Sequence, residues 1–143
     1  MKKLITKSET ATRKLGAQLA KKMAGGEIIG LVGDLGAGKT ILVQGLAQGL
    51  GLKKIVNSPT FVLMKNYRLR GKIIKQLCHV DCYRLDDPQA LLDIGINDYL
   101  GRPDTVCVIE WADKIKKILP KKQVKWIKLE HGRLANQRIV NIF

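Results

Sequence analysis

The sequence predicts a single α/β domain over residues 1–143, in which helices flank a central mixed sheet. Short apolar runs alternate with helical patterns along the chain, as in a sheet that is covered by helices. One glycine-rich segment, residues 33–40, has the spacing Gly-x4-Gly-Lys-Thr between such a run and a helix. The length of 143 residues suits one domain, and no repeat, low-complexity tract or linker divides it.

The first elements are a helix and a strand. Thr6-Lys7-Ser8-Glu9 has the spacing of a capping box, which marks a helix N-terminus. Apolar residues then recur every four positions from Ala11 to Met23, as on one face of an amphipathic helix. Gly25-Gly26 ends this helix, and Glu27–Val32 is a predicted strand.

The glycine-rich segment has the residues that a phosphate-binding loop needs. Glycines 33, 36 and 38 let the backbone turn where a side chain would collide with phosphate, and the N–H groups then point inward at a helix N-terminus. Lys39 can reach the β- and γ-phosphates, and the Thr40 hydroxyl can bind Mg²⁺. A plain glycine turn would require neither Lys nor Thr here. The following helix, Lys39–Leu50, is apolar on most sides and is predicted to be buried.

The middle of the chain predicts a hairpin and a short helical region. Thr60–Tyr67 and Ile73–Asp81 have the pattern of two strands joined by a turn at Arg70-Gly71-Lys72. Asp86-Asp87-Pro88 starts a helical region that runs to about Leu100 and is interrupted near Gly95.

The last third predicts three more strands and a helix. Thr105–Glu110 is a β-branched run typical of a buried strand, and Ala112–Leu119 has a helical pattern that stops at Pro120. Val124–Leu129 and Arg138–Ile142 alternate as in a second hairpin around Gly132.

Two carboxylates lie where predicted strands end, Asp81 and Glu110. Ligands of open α/β sheets bind at the carboxyl ends of strands, and a phosphate site needs an acid for Mg²⁺ and a group that places the attacking water. We therefore expect both to act there, although a solvated acid at a strand end would look the same. Thr60 follows Ser58-Pro59 and could sense the γ-phosphate through the metal, but ordinary turns also contain Ser-Pro-Thr.

Other polar and aromatic residues near these positions are less informative. Arg84 could contact phosphate or a partner, or lie exposed with neither role. Trp111 could be a core residue or part of a contact surface. His79 and His131 are interpreted as structural.

The composition indicates which partners and which cellular compartment suit the protein. The net charge of +14 suits nucleic acid or an acidic partner, but scattered lysines are also typical of a solubilising surface. The three cysteines, an odd count, are interpreted as reduced thiols in a cytosolic protein. No apolar run is long enough to cross a bilayer, and the first residues lack the pattern of a signal peptide. A cytoplasmic protein without membrane contact is expected.

Four blocks of residues stand out along the chain: Gly33-Asp34-Leu35-Gly36-Ala37-Gly38-Lys39-Thr40, Ser58-Pro59-Thr60-Phe61, His79-Val80-Asp81-Cys82-Tyr83-Arg84 and Ile109-Glu110-Trp111. In this order and spacing they resemble the TsaE (YjeE) family, the small ATPase of bacterial tRNA threonylcarbamoyladenosine biosynthesis. The resemblance extends from about Ser8 to Arg138, and Cys82 stands where the family has an aliphatic residue.

The resemblance implies a P-loop NTPase domain with weak intrinsic hydrolysis of ATP to ADP, dependent on Mg²⁺. It also implies association with the two-subunit tRNA threonylcarbamoyl transferase, made of TsaB- and TsaD-type proteins, which the ATPase resets between turnovers. The net positive charge is compatible with a direct tRNA contact. The residues that this assigns to catalysis are Asp81, Glu110 and Lys39. Those assigned to the nucleotide are Asp34, Gly36, Ala37, Gly38, Lys39, Thr40, Ile41 and Trp111. Those assigned to the metal are Thr40, Thr60, Asp81 and Glu110.

Two other functions remain open on sequence grounds. A small-molecule kinase on the same fold would need a lid with several arginines, for which 143 residues leave little room. A nucleotide-gated binding module with incidental hydrolysis would share every motif. A GTPase is disfavoured, because the chain has no Asn-Lys-x-Asp or Thr-Lys-x-Asp segment to recognise guanine.

Overall fold

The computed structural model describes residues 1–59 and 62–143. Within these residues it contains seven strands and three α-helices, with short 3-10 helices at Ile96–Asp98 and Ala112–Ile115. The strands are β1 (Lys2–Thr6), β2 (Ile28–Val32), β3 (Met64–Arg68), β4 (Gln76–Asp81), β5 (Thr105–Glu110), β6 (Val124–His131) and β7 (Arg138–Ile142). The helices are α1 (Glu9–Ala20), α2 (Lys39–Gly49) and α3 (Gln89–Asp93).

All seven strands form one mixed sheet in the order β1-β7-β6-β2-β5-β4-β3. The central strands β6, β2, β5 and β4 are parallel, and both flanks are antiparallel. The predicted α/β class and mixed sheet are therefore confirmed. Because β2, β4 and β5 are parallel, their carboxyl ends meet at one edge, which is where α/β sheets bind ligands.

Alternate side chains of the central strands supply two apolar cores, one on each face of the sheet. Leu77 and Val106 project toward α2, where they pack with Leu42 and Leu46. The opposite face packs against α3 and the two 3-10 helices. Helices α1 and α2 approach closely because Gly45 has no side chain, and a Cβ there would collide with the Arg13 carbonyl. This packing fixes α2 and hence the loop before it.

The structure corrects several predicted boundaries at the N-terminus. Strand β1 was not predicted, because a five-residue edge strand that begins with two exposed lysines has no clear apolar alternation. Since Thr6 belongs to β1, the N-cap of α1 is Ser8, whose hydroxyl accepts a hydrogen bond from the Ala11 N–H at 3.0 Å. Helix α1 ends at Ala20 rather than near Met23.

Later elements follow the predictions, most of them with shorter bounds, although β6 continues to His131, two residues beyond its predicted end. The two predicted hairpins are the antiparallel pairs β3–β4 and β6–β7, and Gly95 separates α3 from a 3-10 helix. Strands β3 and β4 start later than predicted, at Met64 and Gln76. The helix predicted for Ala112–Leu119 is a 3-10 helix that ends at Ile115.

The three cysteines, Cys78, Cys82 and Cys107, are buried free thiols in the structure. Burial raises the pKa of the Cys82 thiol to about 12. In the two stretches that the structure describes, no helix has both the length and the apolar character required to span a membrane.

Candidate active site

The glycine-rich loop connects β2 to α2 in a conformation that only glycine adopts readily. Gly33, Gly36 and Gly38 all have positive φ angles, of 150°, 76° and 96°. A Cβ on Gly33 would also collide with the Leu129 carbonyl of the neighbouring β6. Gly38 is the N-cap of α2 and has no side chain to cap it. The first N–H groups of α2 are therefore available to an anion, which the helix dipole also favours.

Lys39 is folded back over the loop. Its Nζ donates hydrogen bonds to the Gly33 carbonyl at 2.5 Å and the Asp34 carbonyl at 2.8 Å, and lies 4.0 Å from the centroid of the Trp111 ring. The residue is 5% exposed. Burial lowers the pKa of the Lys39 ammonium, while the negative charges of Glu110 and Asp81 oppose that change. A phosphate would supply the anionic partner that the two carbonyls only approximate.

Glu110, at the end of β5, lies at the centre of a polar network. It is 2% exposed, and its Oε1 accepts a hydrogen bond from the Thr40 hydroxyl at 2.9 Å. Its Oε2 accepts hydrogen bonds from His79 Nε2 at 2.7 Å and the Ser58 hydroxyl at 3.3 Å. The hydroxyls of Thr40 and Ser58 are 2.9 Å apart. Both oxygens of this carboxylate are thus fixed by side chains from three separate segments.

Asp81 occupies the matching position on the neighbouring strand. It pairs with Glu110 in the β4–β5 register, so the two carboxylates lie side by side at the same edge of the sheet. Its Oδ1 accepts the Tyr83 backbone N–H at 2.9 Å, and the side chain is only partly buried. Desolvation raises the pKa of Asp81, and the Glu110 charge adds to this, whereas the Tyr83 N–H and the Ser58 hydroxyl lower it.

Trp111 follows Glu110 with a backbone conformation that is unusual for its residue type. Its φ of 56° makes it the one positive-φ residue other than glycine in the described part of the chain. Such a conformation costs on the order of 1–3 kcal/mol and persists only where surroundings enforce it. Its ring lies 5.1 Å from that of Tyr83 and beneath Lys39. Trp111 is partly buried: it packs against the apolar core on the α3 face of the sheet and also lines the cleft.

A cleft of about 670 Å³ covers this whole region. Its volume is within the usual range for small-molecule and cofactor sites. Among the sequence-predicted residues it is lined by Gly36, Gly38, Lys39, Thr40, Ile41, Asp81, Glu110 and Trp111. Asp34 contributes its carbonyl to Lys39, Ala37 is fully buried inside the loop, and Arg84 is exposed at the cleft wall. Thr60, predicted as a metal ligand, lies outside the described residues.

Sequence reasoning missed three contributors. Ser58 was noted only as part of a turn, and His79 was interpreted as structural without a partner, yet both contact Glu110. Arg138, from β7, donates to the carbonyls of Gly36 at 3.1 Å and Ala135 at 2.8 Å, and so holds the loop from the side. Residue spacing in a sequence does not predict contacts between residues that lie so far apart in the chain.

The side chains at the cleft suit a magnesium ion. Thr40, Ser58, Asp81 and Glu110 offer hydroxyl and carboxylate oxygens, the hard ligands that Mg²⁺ prefers. Residues 1–59 and 62–143 contain no group of three or more His, Cys, Asp or Glu side chains that could hold a metal. Thr40 and Glu110 would help to hold the ion, and phosphate oxygens and water would supply its other ligands, as is common for Mg²⁺.

Comparison with known proteins identifies the family. The model of the family described as "Threonylcarbamoyl adenosine biosynthesis protein TsaE" matches residues 6–140. This chain belongs to the TsaE family. Relatives named as tRNA threonylcarbamoyladenosine biosynthesis protein TsaE include one from Haemophilus influenzae, which is 47% identical over 94 residues. Another, from Bacillus subtilis, is 41% identical over 115 residues.

The matched segments cover different shares of the TsaE relatives. They span 66% of this chain and 57% of the Haemophilus protein, and 80% of this chain and 67% of the Bacillus protein. A TsaE protein from Treponema pallidum is 36% identical over 116 residues, which are 81% of this chain and 82% of that protein.

A solved structure shows the same fold. The crystal structure of YdiB from Bacillus subtilis superposes with a TM-score of 0.79 at 30% identity, covering 99% of this chain and 83% of that chain. The predicted P-loop NTPase architecture and the resemblance to the TsaE family are thereby confirmed.

Proposed function

We propose that this protein is a Mg²⁺-dependent ATPase that supports the threonylcarbamoyl modification of adenosine in tRNA. The observation that carries the proposal is the contact between the loop residue Thr40 and the strand-end carboxylate Glu110, with Asp81 alongside. A loop threonine joined to a strand-end acid is the arrangement that holds Mg²⁺ in P-loop NTPases. Family membership supplies the pathway.

Nucleotide phosphates would bind at the N-terminus of α2. The loop N–H groups would surround the β-phosphate, and Lys39 would leave the Gly33 and Asp34 carbonyls for the β- and γ-oxygens. Trp111 would then be free of the ammonium above it and remain in the cleft wall. We expect adenine to be preferred over guanine, with ATP and ADP both bound.

The two carboxylates would divide the remaining work. Glu110 already contacts Thr40, so it is assigned to the metal, either directly or through a bound water. Asp81 is the more accessible of the two, so it is assigned to orienting the attacking water. When bound, Mg²⁺ would neutralise charge that develops on the transferring phosphate.

The proposal extends to partners. By family, the chain is assigned to a cytoplasmic complex with the two-subunit threonylcarbamoyl transferase, whose cycle it would reset by hydrolysis. A second groove, of about 590 Å³, is lined by Arg68, Arg70, Lys75 and Arg102 and contains the acid Asp104. This concentration of positive charge supports a contact with an anionic partner such as tRNA.

Phosphate release tests the ATPase and its partner dependence together. We expect the isolated protein to hydrolyse ATP far more slowly than a typical enzyme at about 10 per second, and the TsaB- and TsaD-type pair to accelerate it. Fast hydrolysis that is unaffected by the TsaB- and TsaD-type pair would contradict the proposed dependence on these partners. Transfer of the γ-phosphate to a small acceptor, rather than to water, would instead support the kinase alternative.

Salt dependence tests the tRNA contact separately. If tRNA binds through phosphates, its affinity falls steeply with salt and is similar for unrelated tRNA sequences. Replacing Arg68 and Arg70 by Gln should weaken this binding, while the same change at Lys2 and Lys3 should alter it less, because these lysines are exposed on β1, at the opposite edge of the sheet from β3. Equal effects of both pairs would exclude the groove as the contact.

A further inference from the structure

His79 is a fully buried imidazole with one polar contact in the described structure. Its Nε2 lies 2.7 Å from Oε2 of Glu110, whereas its Nδ1 is buried without a hydrogen-bond partner among residues 1–59 and 62–143. Buried polar groups are normally satisfied, and an exception calls for an explanation. Leucine would fill such a position in a strand without that cost, so packing alone does not account for a histidine here.

The strand geometry explains how His79 reaches Glu110. Residues two apart in a strand share a face of the sheet, so His79 and Asp81 project from β4 on the same side. In the parallel β4–β5 register His79 is opposite Val108 and Asp81 is opposite Glu110. The imidazole therefore approaches Glu110 from the interior of the sheet, within the apolar layer that packs on α2. Asp81 lies beside Glu110 at the carboxyl edge.

The contact also divides the two oxygens of Glu110 between different tasks. Because the acceptor is a carboxylate, Nε2 is the donor in this contact. Oε2 is occupied by His79 and Ser58, and Oε1 is directed at Thr40. Without His79, Oε2 would keep only the longer contact with Ser58, at 3.3 Å, and the carboxylate could rotate away from Thr40 more readily.

We propose that His79 is a positioning residue that orients the Glu110 carboxylate for the magnesium ion of the bound nucleotide. The inference rests on the proposed function, since it assigns a role toward Mg²⁺ in the same cleft. Partners that hold a metal-binding side chain by hydrogen bonds typically contribute 10- to 100-fold to metal affinity or activity. His79 would thus affect Mg²⁺ affinity while it contacts neither metal nor nucleotide.

Variants of His79 that differ in whether a donor can still contact Glu110 distinguish a positioning role from a packing role. In His79→Gln the amide nitrogen lies as many bonds from the backbone as Nε2 does, so it can still donate to Glu110. In His79→Asn the nitrogen corresponds to Nδ1 and falls short. His79→Leu keeps bulk and removes the donor. Cys78→Ala is the matched control, because it changes a fully buried residue of the same strand on the opposite face of the sheet.

The measurement is the affinity for fluorescently labelled ADP, titrated with Mg²⁺ and repeated in EDTA. We expect His79→Asn and His79→Leu to raise the Mg²⁺ concentration for half-maximal effect by about 10-fold or more, with affinity in EDTA nearly unchanged. His79→Gln should restore most of the Mg²⁺ response, and Cys78→Ala should retain it at reduced stability in urea. If His79→Leu does not fold, the Gln and Asn pair still decides the matter.

The outcomes distinguish the inference from the function on which it rests. If the Gln and Asn variants respond to Mg²⁺ like the wild type, or lose the response equally, His79 does not position Glu110 and the inference fails alone. If the wild-type protein binds labelled ADP without any influence of Mg²⁺, the proposed function fails as well. A loss that follows urea stability across all four variants would assign His79 to packing and overturn the inference.

Discussion

The carboxyl ends of β4 and β5 are neighbours in register, yet their acidic residues have opposite surroundings. Glu110, at the end of β5, is 2% exposed and accepts hydrogen bonds from the side chains of Thr40, Ser58 and His79. Asp81, at the end of β4, is partly exposed, accepts the Tyr83 backbone N–H and also interacts with Ser58. Glu110 is therefore fixed by side-chain hydrogen bonds before any ligand binds, whereas Asp81 is less firmly fixed and more accessible.

Two similar residues at one edge of the sheet suit different functions because their surroundings differ. A metal position must be fixed, because misplacement of catalytic groups by about 1 Å can cost on the order of 100-fold in rate. A residue that orients water must instead remain accessible to solvent. The contrast in burial therefore supports assigning Glu110 to Mg²⁺ and Asp81 to water, which sequence alone left undecided.

The largest expected effects come from neutralising each carboxylate in turn. Glu110→Gln and Asp81→Asn should each lower ATP hydrolysis, on the order of 100-fold, because metal and water placement matter most in the transition state. Only Glu110→Gln should also abolish the effect of Mg²⁺ on nucleotide affinity. Phosphate release and calorimetric titration with and without Mg²⁺ measure the two properties.

Glu110→Gln and Asp81→Asn are closely matched substitutions. Both variants keep the shape of the side chain and remove one charge, so a difference between them reports surroundings rather than size. If Asp81→Asn instead of Glu110→Gln removes the Mg²⁺ effect, the two assignments must be exchanged.

The next largest effect is expected at Lys39, which lies between the loop and both carboxylates. Lys39→Ala should remove a charge-assisted phosphate contact and cost about 1.5–3 kcal/mol of ATP binding. That corresponds to a dissociation constant about 10- to 150-fold higher. Calorimetry with ATP measures it, and unchanged affinity would show that Lys39 does not contact the phosphates.

A smaller effect is expected at Ser58, which contacts both strand ends. Its hydroxyl lies 2.9 Å from that of Thr40 and 3.3 Å from Glu110 Oε2. Ser58→Ala should lower the free energy of unfolding by about 0.5–1.5 kcal/mol, the usual contribution of one hydrogen bond. Urea unfolding measures it. A loss of several kcal/mol would mean that Ser58 supports the polar network as a whole.

The smallest effect is a pH dependence that belongs to Asp81 alone. Burial raises the pKa of Asp81 in the folded protein. The contribution of Asp81 to folding stability is therefore complete below the pKa of the unfolded chain and is lost as pH rises through the pKa of the folded protein. Asn cannot ionise and avoids that loss. The stability of Asp81→Asn relative to wild type, measured without nucleotide or metal, should therefore increase as pH rises above about 3.9, the usual pKa of Asp in an unfolded chain. A constant difference would contradict the cause assigned here.

The sequence predicted the parts of the fold that local patterns determine. The run before Gly33, the apolar helix from Lys39 and the buried strand ending at Glu110 each have a clear period or a fixed spacing, and all are present. Strand β1 escaped prediction because its pairing partner, β7, lies at the far end of the chain. An edge strand depends on such a partner more than on its own residues.

The site divides in the same way. The spacing of the loop predicted Lys39 and Thr40, and strand ends predicted Asp81 and Glu110, which the structure places around one cleft. The contacts of His79 and Arg138 arise only when strands distant in sequence come together, as β4 with β5 and β7 with the loop. Sequence patterns carry no information on which oxygen of Glu110 each donor would occupy.

We expect the two strand ends and the loop to hold one Mg²⁺–ATP complex. A crystal structure with Mg²⁺ and a non-hydrolysable ATP analogue would show whether they do. Mg²⁺ should lie about 2.0–2.1 Å from the Thr40 hydroxyl oxygen, with Glu110 in contact directly or through one water. Lys39 should then bind the γ-phosphate, and Asp81 should face a water on its far side. Phosphates bound away from the N-terminus of α2, or Mg²⁺ remote from both Thr40 and Glu110, would contradict this arrangement.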